Sequence, residues 1–189
     1  MVVPVAEIAL QLLDGTQAAA HADELQSLRA EVYANLPYGR GDGPARVAGR
    51  FLVQCRQPGY GLTAARSGGY LIGWASGMPL RPSTSWWRDL TSPLPDDVVA
   101  EHPGRTFALT ELMVRASWRR QGIGRSLHDL ILGSRREERA TVVVPLAATA
   151  AQAAFQNWGW HKIARTRDRA PGSAGEDILL TALPATLEP

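Results

Sequence analysis

The sequence predicts a mixed α/β domain in which helices flank a central sheet that is mostly antiparallel. Apolar segments rich in β-branched residues alternate with helical repeats, in the order β-α-α-β-β-β-α-β-α-β-β. Two strand pairs are joined by glycine-containing turns, and such hairpins require antiparallel neighbours. Helices connect other strands, which allows parallel neighbours as well.

Length and composition fit one domain with a buried core. The chain has 189 residues, of which 45% are hydrophobic and 20% are charged, and these proportions are ordinary for a globular protein. This length suits one domain better than two. We expect residues 1–183 to form this domain and residues 184–189 to form a C-terminal tail.

Charge and cysteine content exclude several classes of protein. A net charge of +2 argues against a dedicated nucleic-acid binder. The single cysteine, Cys55, excludes a disulfide framework and a cysteine-based metal site. The four histidines lack the spacing of metal ligands, so we expect no metal. No apolar run reaches the roughly 18 residues of a membrane span, and we expect a cytoplasmic protein with no membrane partner.

The first elements precede a hairpin. Residues 2–13 are apolar enough for a strand, which the turn at Asp14-Gly15 closes. Thr16 is the predicted cap of a helix whose apolar positions are spaced by three or four: Leu25, Leu28, Val32 and Leu36. A loop follows over residues 36–44. A second helix has Val47, Phe51 and Cys55 on one face and ends at Pro58-Gly59, and the predicted hairpin strands are residues 60–66 and 70–78.

The second half of the chain opens with a long loop. Residues 79–104 contain five prolines and the pair Trp86-Trp87, and a loop this long is usually functional or mobile. The remaining elements are then predicted in order: a strand at 106–114, a helix at 122–139, a strand at 141–146, a helix at 147–158, and two strands at 160–166 and 176–183.

The chemistry is concentrated in the segment Arg119-Arg120-Gln121-Gly122-Ile123-Gly124-Arg125-Ser126, between a strand and an amphipathic helix. Glycines there let the backbone approach a ligand closely. The unpaired amides and the helix dipole make an anion site suited to a pyrophosphate, and three arginines add positive charge. No Gly-Lys-Ser/Thr follows, so the segment is not a P-loop. Leu127 stands where the dinucleotide fingerprint has its third glycine.

The residues on either side of this segment narrow the kind of site that it forms. Arg119-x-x-Gly122-x-Gly124 follows Glu111-Leu112-Met113-Val114 and precedes a helix, and this arrangement resembles the acetyl-CoA-binding motif of the GNAT superfamily of N-acetyltransferases. The segment Ala154-Phe155-Gln156-Asn157-Trp158-Gly159-Trp160 is similar to the family's closing helix and Gly-aromatic turn. The resemblance covers residues 5–183. The alternative is another phosphate-binding α/β domain.

The resemblance implies a binding mode for acetyl-CoA. Main-chain groups of Leu112, Met113 and Val114 would pair with the pantetheine arm, and this strand and the strand at 141–146 would splay apart to admit the cofactor. The amides of Met113 and Val114 would form an oxyanion hole for the thioester carbonyl. The pyrophosphate would be held by backbone amides of six consecutive residues: Gln121, Gly122, Ile123, Gly124, Arg125 and Ser126.

Glu111 is the candidate general base. Acetyl transfer requires a neutral amine and removal of a proton, and the family often has a glutamate at this strand position. Strand alternation places Glu111 on the same side as Phe107, Leu109 and Met113, where burial should raise its pKa. The alternative is that Glu111 marks the solvated end of the strand and pairs with an arginine.

Phe155 marks a departure from the family pattern. It lies four residues before Gly159, where the family often has a tyrosine that donates a proton to the departing sulfur. We expect Phe155 to contact the cofactor, and no side-chain acid at this position. Solvent or another group would then protonate the thiolate, or the reaction would depend mostly on proximity.

The resemblance places acceptor sites at the first helices, the long loop and the last hairpin. Tyr33, Tyr38, Trp86 and Trp87 are therefore the candidate acceptor-binding residues, and an aromatic pair could hold a cationic amine. The alternative is that a tryptophan packs under its own loop. We expect a small-molecule amine as the acceptor, with a protein N-terminus or lysine as one alternative and a non-catalytic CoA-binding module as another. We also allow for a homodimer.

Overall fold

The structure, a computed structural model, describes residues 7–34, 44–167 and 175–184. The strands within these ranges are β1 (Ile8–Asp14), β2 (Gly61–Ser67), β3 (Tyr70–Pro79), β4 (Thr106–Val114), β5 (Arg139–Pro145), β6 (His161–Arg165) and β7 (Glu176–Ala182). The helices are α1 (Gly15–Ala20), α2 (Ala22–Tyr33), α3 (Pro44–Cys55), α4 (Asp96–Val99), α5 (Ile123–Gly133) and α6 (Thr149–Asn157), with a 3₁₀ turn at Ala116–Trp118.

The strands form one sheet in the order β1-β2-β3-β4-β5-β7-β6. β1 pairs antiparallel with β2, β2 with β3, β5 with β7, and β6 with β7. β4 pairs parallel with β5 through Thr106–Leu109 and Arg139–Val142, and both strands continue beyond this paired segment. The predicted mixed, mostly antiparallel sheet is confirmed.

Contacts between residues divide the chain into two compact units. The first unit comprises Met1–Met78 and Glu111–Ser134, and the second comprises Pro79–Thr110 and Arg135–Pro189. β4 therefore begins in the second unit and ends in the first. The glycine-containing loop and Glu111 both belong to the first unit.

The core of the first unit is formed where α1, α2 and α3 cover one face of the sheet. Trp74 is completely buried there, and its ring makes an edge-on contact with Phe51 at a centroid distance of 6.0 Å. Leu25 and Leu28 of α2 belong to the same cluster, as their spacing predicted. Cys55 is buried in this cluster too, together with Phe51, with which the sequence placed it on one face of the second helix.

The start of the first helix differs from the prediction. Asp14, and not Thr16, caps α1: the Gln17 amide donates to Asp14 Oδ1 at 2.8 Å, and the Asp14 amide donates to Gln17 Oε1 at 3.0 Å. The reason is that β1 ends at Asp14 and the helix begins at the next residue, so the Asp14 carboxylate reaches the third helical amide. The single helix that the sequence predicted is interrupted at His21, and Leu36 lies outside the described residues.

The end of α5 also differs from the prediction. The helix stops at Gly133 and not at Arg139, and the Ser134 hydroxyl donates to the Ile131 carbonyl at 2.7 Å. Further along, the buried Glu137 carboxylate accepts from Arg135 Nη2 at 2.6 Å and from the Arg136 amide at 3.2 Å. These local bonds form a turn, which a helical continuation of this polar segment would break.

Gly73 allows β3 to approach β4 closely. A Cβ atom placed on Gly73 would lie 2.7 Å from the Met113 carbonyl oxygen and 3.2 Å from side-chain atoms of Leu127 and Val114. The backbone of Met113 is the part of β4 that a side chain at position 73 would push. Gly73 therefore fixes the position of the C-terminal half of β4.

We expect Gly73→Ala to lower the free energy of unfolding by about 1–3 kcal/mol, since the methyl group overpacks a buried site against backbone. Gly49→Ala is the matched control because Gly49 is exposed on α3 with open space around it, and alanine there should stabilise the helix by about 0.5–1 kcal/mol. Urea denaturation measures both variants. Equal stability of Gly73→Ala and the parent protein would show that β3 and β4 lie further apart.

Candidate active site

Two residues of the loop before α5 have a left-handed backbone conformation. Gly122 is the N-terminal cap of α5, with φ = 81° and ψ = −11°, a left-handed conformation that glycine adopts without steric cost. Arg120, two residues earlier, also has a positive φ, 64°. A non-glycine residue in this region is strained, and such strain is concentrated at ligand-binding and functional sites.

The first turn of α5 leaves backbone amides available for an anion. Gly122 has no side chain, and no side chain caps this helix. The Ser126 amide donates to the Gly122 carbonyl at 3.0 Å, so the amides of Ile123 and Gly124 precede the first bond of the helix and have no acceptor within it. The dipole of this 11-residue helix adds partial positive charge at the same end.

The three arginines in and beside the loop have different surroundings. Arg119 donates through Nε to the Val114 carbonyl at 3.0 Å, which ties the loop to the end of β4. Arg125 donates through Nε to Asp129 Oδ2 at 2.6 Å along the exposed side of α5. Arg120 is exposed, and Gln121 Nε2 donates to the Ser117 carbonyl at 3.2 Å. Their predicted contacts with phosphate stay predictions.

Glu111 lies on β4 against α2. Its Oε1 accepts from Arg29 Nε at 3.1 Å, and its Oε2 accepts from the Tyr33 hydroxyl at 3.1 Å. The side chains of Arg29 and Glu111 are 22% and 19% exposed, and the Arg29 guanidinium lies 4.6 Å from the centroid of the Tyr33 ring. The carboxylate is thus half-buried, as expected for a general base. It is also paired with an arginine, as expected if Glu111 only marks the end of the strand.

Sequence reasoning did not identify Arg29. The available signal was that Arg29 precedes Tyr33, a candidate acceptor-binding residue, by four residues on α2. Residues four apart lie on one face of a helix. No local pattern, however, shows which strand residue that face will meet.

The backbone of β4 presents alternate amides to its two sides. The Arg115 amide donates to the Ile72 carbonyl of β3 at 2.9 Å, so by alternation the Met113 amide also faces β3 and the Val114 amide faces away. The oxyanion hole expected from these two amides stays a prediction. The alternation favours Val114 over Met113 as the donor for a thioester carbonyl.

Burial makes the thiol and the phenol near Glu111 poor nucleophiles and bases. Burial raises the pKa of the Cys55 thiol. Burial also raises the pKa of the Tyr60 phenol, and the nearby Glu111 carboxylate adds to this effect. Both groups therefore stay protonated at neutral pH.

The aromatic candidates for acceptor binding lie in different places. Tyr33 contacts Glu111, whereas Tyr38 lies outside the described residues. Trp86 and Trp87 belong to the second unit and are half-buried. Trp86 Nε1 donates to Thr141 Oγ1 at 3.2 Å, and Trp87 Nε1 donates to the buried Glu101 at 3.0 Å. Trp86 therefore fastens the long loop to β5, whereas Trp87 braces the loop internally, because Glu101 belongs to the same segment. The contact of either indole with an acceptor stays a prediction.

Phe155 is buried in the second unit. Its ring packs edge-on against Trp158 and Trp160, with centroid distances of 5.4 Å and 5.3 Å. The contact of Phe155 with a cofactor stays a prediction.

Phe155→Tyr distinguishes a cofactor-facing position from a packing position. If the ring edge faces the cofactor, the added hydroxyl should leave stability unchanged. If the hydroxyl is buried among Trp158 and Trp160 without a partner, stability should fall by about 1–3 kcal/mol. We expect the first result, measured by thermal denaturation together with the rate of the acetyl transfer that the sequence resemblance implies. A stability loss of that size with an unchanged rate would assign Phe155 to core packing.

The described residues contain no group of three or more His, Cys, Asp or Glu side chains that could hold a metal ion. None of the helices in this part of the chain is long and apolar enough to cross a membrane.

Comparison with known proteins gives one family match. The sequence model described as "Acetyltransferase (GNAT) family" matches residues 25–160, which include most of α2, all of β4 and the loop before α5. No curated protein sequence matches the chain.

Solved structures match the chain over nearly its whole length. Arabidopsis thaliana NAA60 in complex with acetyl-CoA superposes with a TM-score of 0.66 at 12% identity, covering 94% of this chain and 99% of that one. The ribosomal-protein-S18-alanine N-acetyltransferase from Escherichia coli gives 0.63 at 14% identity, covering 94% of both chains. The aminoglycoside N-acetyltransferase AAC(6')-Iy in complex with CoA gives 0.60 at 17% identity, covering 89% and 100%. At these identities the likeness shows a common fold.

Proposed function

We propose that this chain, which belongs to the GNAT family of acetyltransferases, transfers the acetyl group of acetyl-CoA to the primary amine of a small molecule. Acetyl-CoA-dependent acetylation is the family's activity. The acceptor and the roles of individual residues are our proposal. The observation that carries it is the Glu111 carboxylate, held by Arg29 and Tyr33 on the same strand that leads into the uncapped start of α5.

The loop before α5 binds the pyrophosphate of acetyl-CoA in this proposal. The residues fit that group, because no side chain caps the helix and the left-handed Gly122 leaves the first-turn amides accessible. Arg119 holds the loop against the end of β4, and Arg120 supplies charge at its exposed side. Acetyl-CoA supplies an activated acetyl thioester, and the Val114 amide polarises its carbonyl oxygen.

Glu111 accepts the proton of the attacking amine. A carboxylate oxygen has two lone-pair sites, and the bonds from Arg29 and Tyr33 use one on each oxygen. One site on each oxygen is left for an N–H of the acceptor. Arg29 and Tyr33 fix the direction of the carboxylate, and the amine nitrogen forms its bond to the acetyl carbon as the CoA thiolate leaves. Solvent protonates that thiolate, since Phe155 has no proton to give.

A small acceptor is favoured by the order in residues 79–104. This segment contains one short helix, α4, yet Trp86 fastens it to β5 through a hydrogen bond to Thr141, and Trp87 braces it internally through a hydrogen bond to Glu101. An ordered segment of this kind suits a small molecule better than an extended peptide. The alternatives are a protein N-terminus or lysine as the acceptor, and a module that binds CoA without turnover.

The experiment that tests the proposal is a free-thiol assay with acetyl-CoA and a panel of amines, aminoglycosides, polyamines and peptides. We expect thiol release that depends on a small primary amine. Release that depends on peptides alone would favour the protein acetyltransferase. Binding of CoA without release by any acceptor would favour the non-catalytic module.

CoA should also stabilise the fold. At a concentration of about 100 times its dissociation constant, CoA should raise the free energy of unfolding by roughly 2.7 kcal/mol. Thermal denaturation with increasing CoA measures this effect. An unchanged melting temperature at millimolar CoA, for a protein shown to be folded, would contradict the assignment of the loop as a CoA site.

A further inference from the structure

The Arg29 guanidinium has unused hydrogen-bonding capacity beside Glu111. A guanidinium carries five N–H donors, and the bond from Nε to Glu111 Oε1 uses one of them. Within residues 7–34, 44–167 and 175–184, the two Nη atoms of Arg29 donate to no acceptor. The side chain is 22% exposed, so a solute can reach it.

Other half-buried arginines of the same unit use their Nη atoms within the protein. Arg66, with the same 22% exposure, donates from both Nη atoms to Glu24, at 2.8 Å and 2.5 Å. Arg115 donates through Nε to the Leu71 carbonyl and through Nη1 to Glu31. Arg29 differs in keeping the outer edge of its guanidinium available next to the candidate base.

The charges of Arg29 and Glu111 favour a particular kind of ligand. The two opposite charges are 3.1 Å apart and largely cancel at a distance, so a simple monovalent cation gains little from the pair. A zwitterion gains at both ends, because its ammonium group faces Glu111 and its anionic group faces Arg29. The pair is therefore complementary to a molecule that carries both charges close together.

We propose that the acceptor carries an anionic group close to its primary amine, and that Arg29 binds this group through its Nη atoms while Glu111 binds the amine. This inference rests on the proposed function. Hydrogen bonds of about 2.9 Å at both ends put the amine nitrogen and the anion about 4–7 Å apart, which about two to four carbon atoms span. The shared chemistry is that of an aminocarboxylate or an aminoalkyl phosphate.

The test uses acceptors that differ only in the anionic group. An ω-amino acid is compared with its primary amide, with the alkylamine of the same length, and with the corresponding aminoalkyl phosphate. We expect kcat/KM for the anionic acceptors to exceed that for the neutral ones by about 10- to 100-fold, the usual effect of a hydrogen bond to a charged group. The better of the carboxylate and the phosphate identifies the natural anion. Equal rates for acid, amide and alkylamine would overturn the inference.

Arg29→Met separates binding of the anion from positioning of Glu111. Arg66→Met is the matched control, since Arg66 is equally exposed and also pairs with a glutamate. We expect Arg29→Met to reduce the preference for anionic acceptors to about twofold or less, and Arg66→Met to retain it. Arg29→Lys keeps the charge and should retain part of the preference. A uniform loss with all acceptors in Arg29→Met, with the preference intact, would show that Arg29 only positions Glu111.

Binding of the acceptor is measured as well as its acetylation. The two measurements distinguish a failure of the proposed function from a failure of the proposed anion binding by Arg29. In the presence of CoA, the amino acid should raise the melting temperature of the parent protein and not that of Arg29→Met. Acetylation of amines without any preference for anions would contradict the inference and leave the proposed function standing. Anion-dependent binding through Arg29 without acetylation of any amine would contradict the proposed function and support the inference.

Discussion

Replacing Glu111 with glutamine should lower kcat by about 10²–10⁴-fold at neutral pH, the usual contribution of a general base. The fold and the affinity for CoA should be retained. Glutamine has the same shape, its oxygen can accept from Arg29 Nε, and its amide can donate to the Tyr33 hydroxyl, so the contacts with α2 persist. It cannot take a proton from the amine. Raising the pH should partly rescue the variant, because a larger fraction of the acceptor is then already neutral.

Glu24→Gln is the control for this substitution. Glu24 also lies on α2 and pairs with an arginine, Arg66, but its side chain is 40% exposed and makes no contact with Glu111. We expect its kcat to equal that of the parent protein. If the acceptor loses its proton in solvent before it binds, Glu111→Gln should raise KM and leave kcat unchanged. That outcome, with a verified acceptor, would remove Glu111 from the proton transfer.

The second large effect is expected at Gly124, in the first turn of α5. Gly124→Asp should abolish the stabilisation by CoA, because a carboxylate in the anion site repels the pyrophosphate. The substitution should not unfold the protein. An aspartate in the first turn of a helix is favourable to the helix dipole by about 0.3–1 kcal/mol.

Gly133→Asp makes the same change at the other end of the same helix. Gly133 is exposed with open space around it, so the aspartate fits there and lies away from the loop. We expect it to leave the CoA-induced shift intact, with a small loss of stability from the helix dipole. Retention of the CoA shift in Gly124→Asp would contradict the assignment of these amides to the pyrophosphate.

Much of the fold followed from local patterns in the sequence. β4 has the predicted bounds, because nine consecutive residues combine apolar and β-branched side chains between polar turns. The hairpin of β2 and β3 was predicted from Ser67-Gly68-Gly69, and both glycines have positive φ angles, 56° and 83°. In these segments local conformational preference and tertiary structure agree.

The wrong predictions, the cap of α1 and the end of α5, lie in segments where more than one local structure is favourable. Asp14 and Thr16 are both good helix caps, and the choice depended on where β1 ends, which its pairing with β2 determines. The polar segment after Gly133 is compatible with a helix by propensity. Its actual turn depends on the buried Glu137, whose partners are Arg135 and the Arg136 amide.

The candidate site was predicted in part. The glycine-containing loop and Glu111 are contiguous in sequence with the strand and helix that position them, so their arrangement could be predicted. Arg29 is 82 residues from Glu111 along the chain, and only the packing of α2 on the sheet brings them together. Contacts of this kind are not encoded in any local spacing.

The most direct test of the account is to measure free CoA thiol and acetylated amine together, with the parent protein and with Glu111→Gln. For the parent protein with an active acceptor, we expect one molecule of acetylated amine, identified by mass spectrometry, for each thiol released. Both products should fall together in Glu111→Gln, whose affinity for CoA is retained. Thiol release without an acetylated amine, or equal yields from the two proteins, would contradict direct transfer assisted by Glu111.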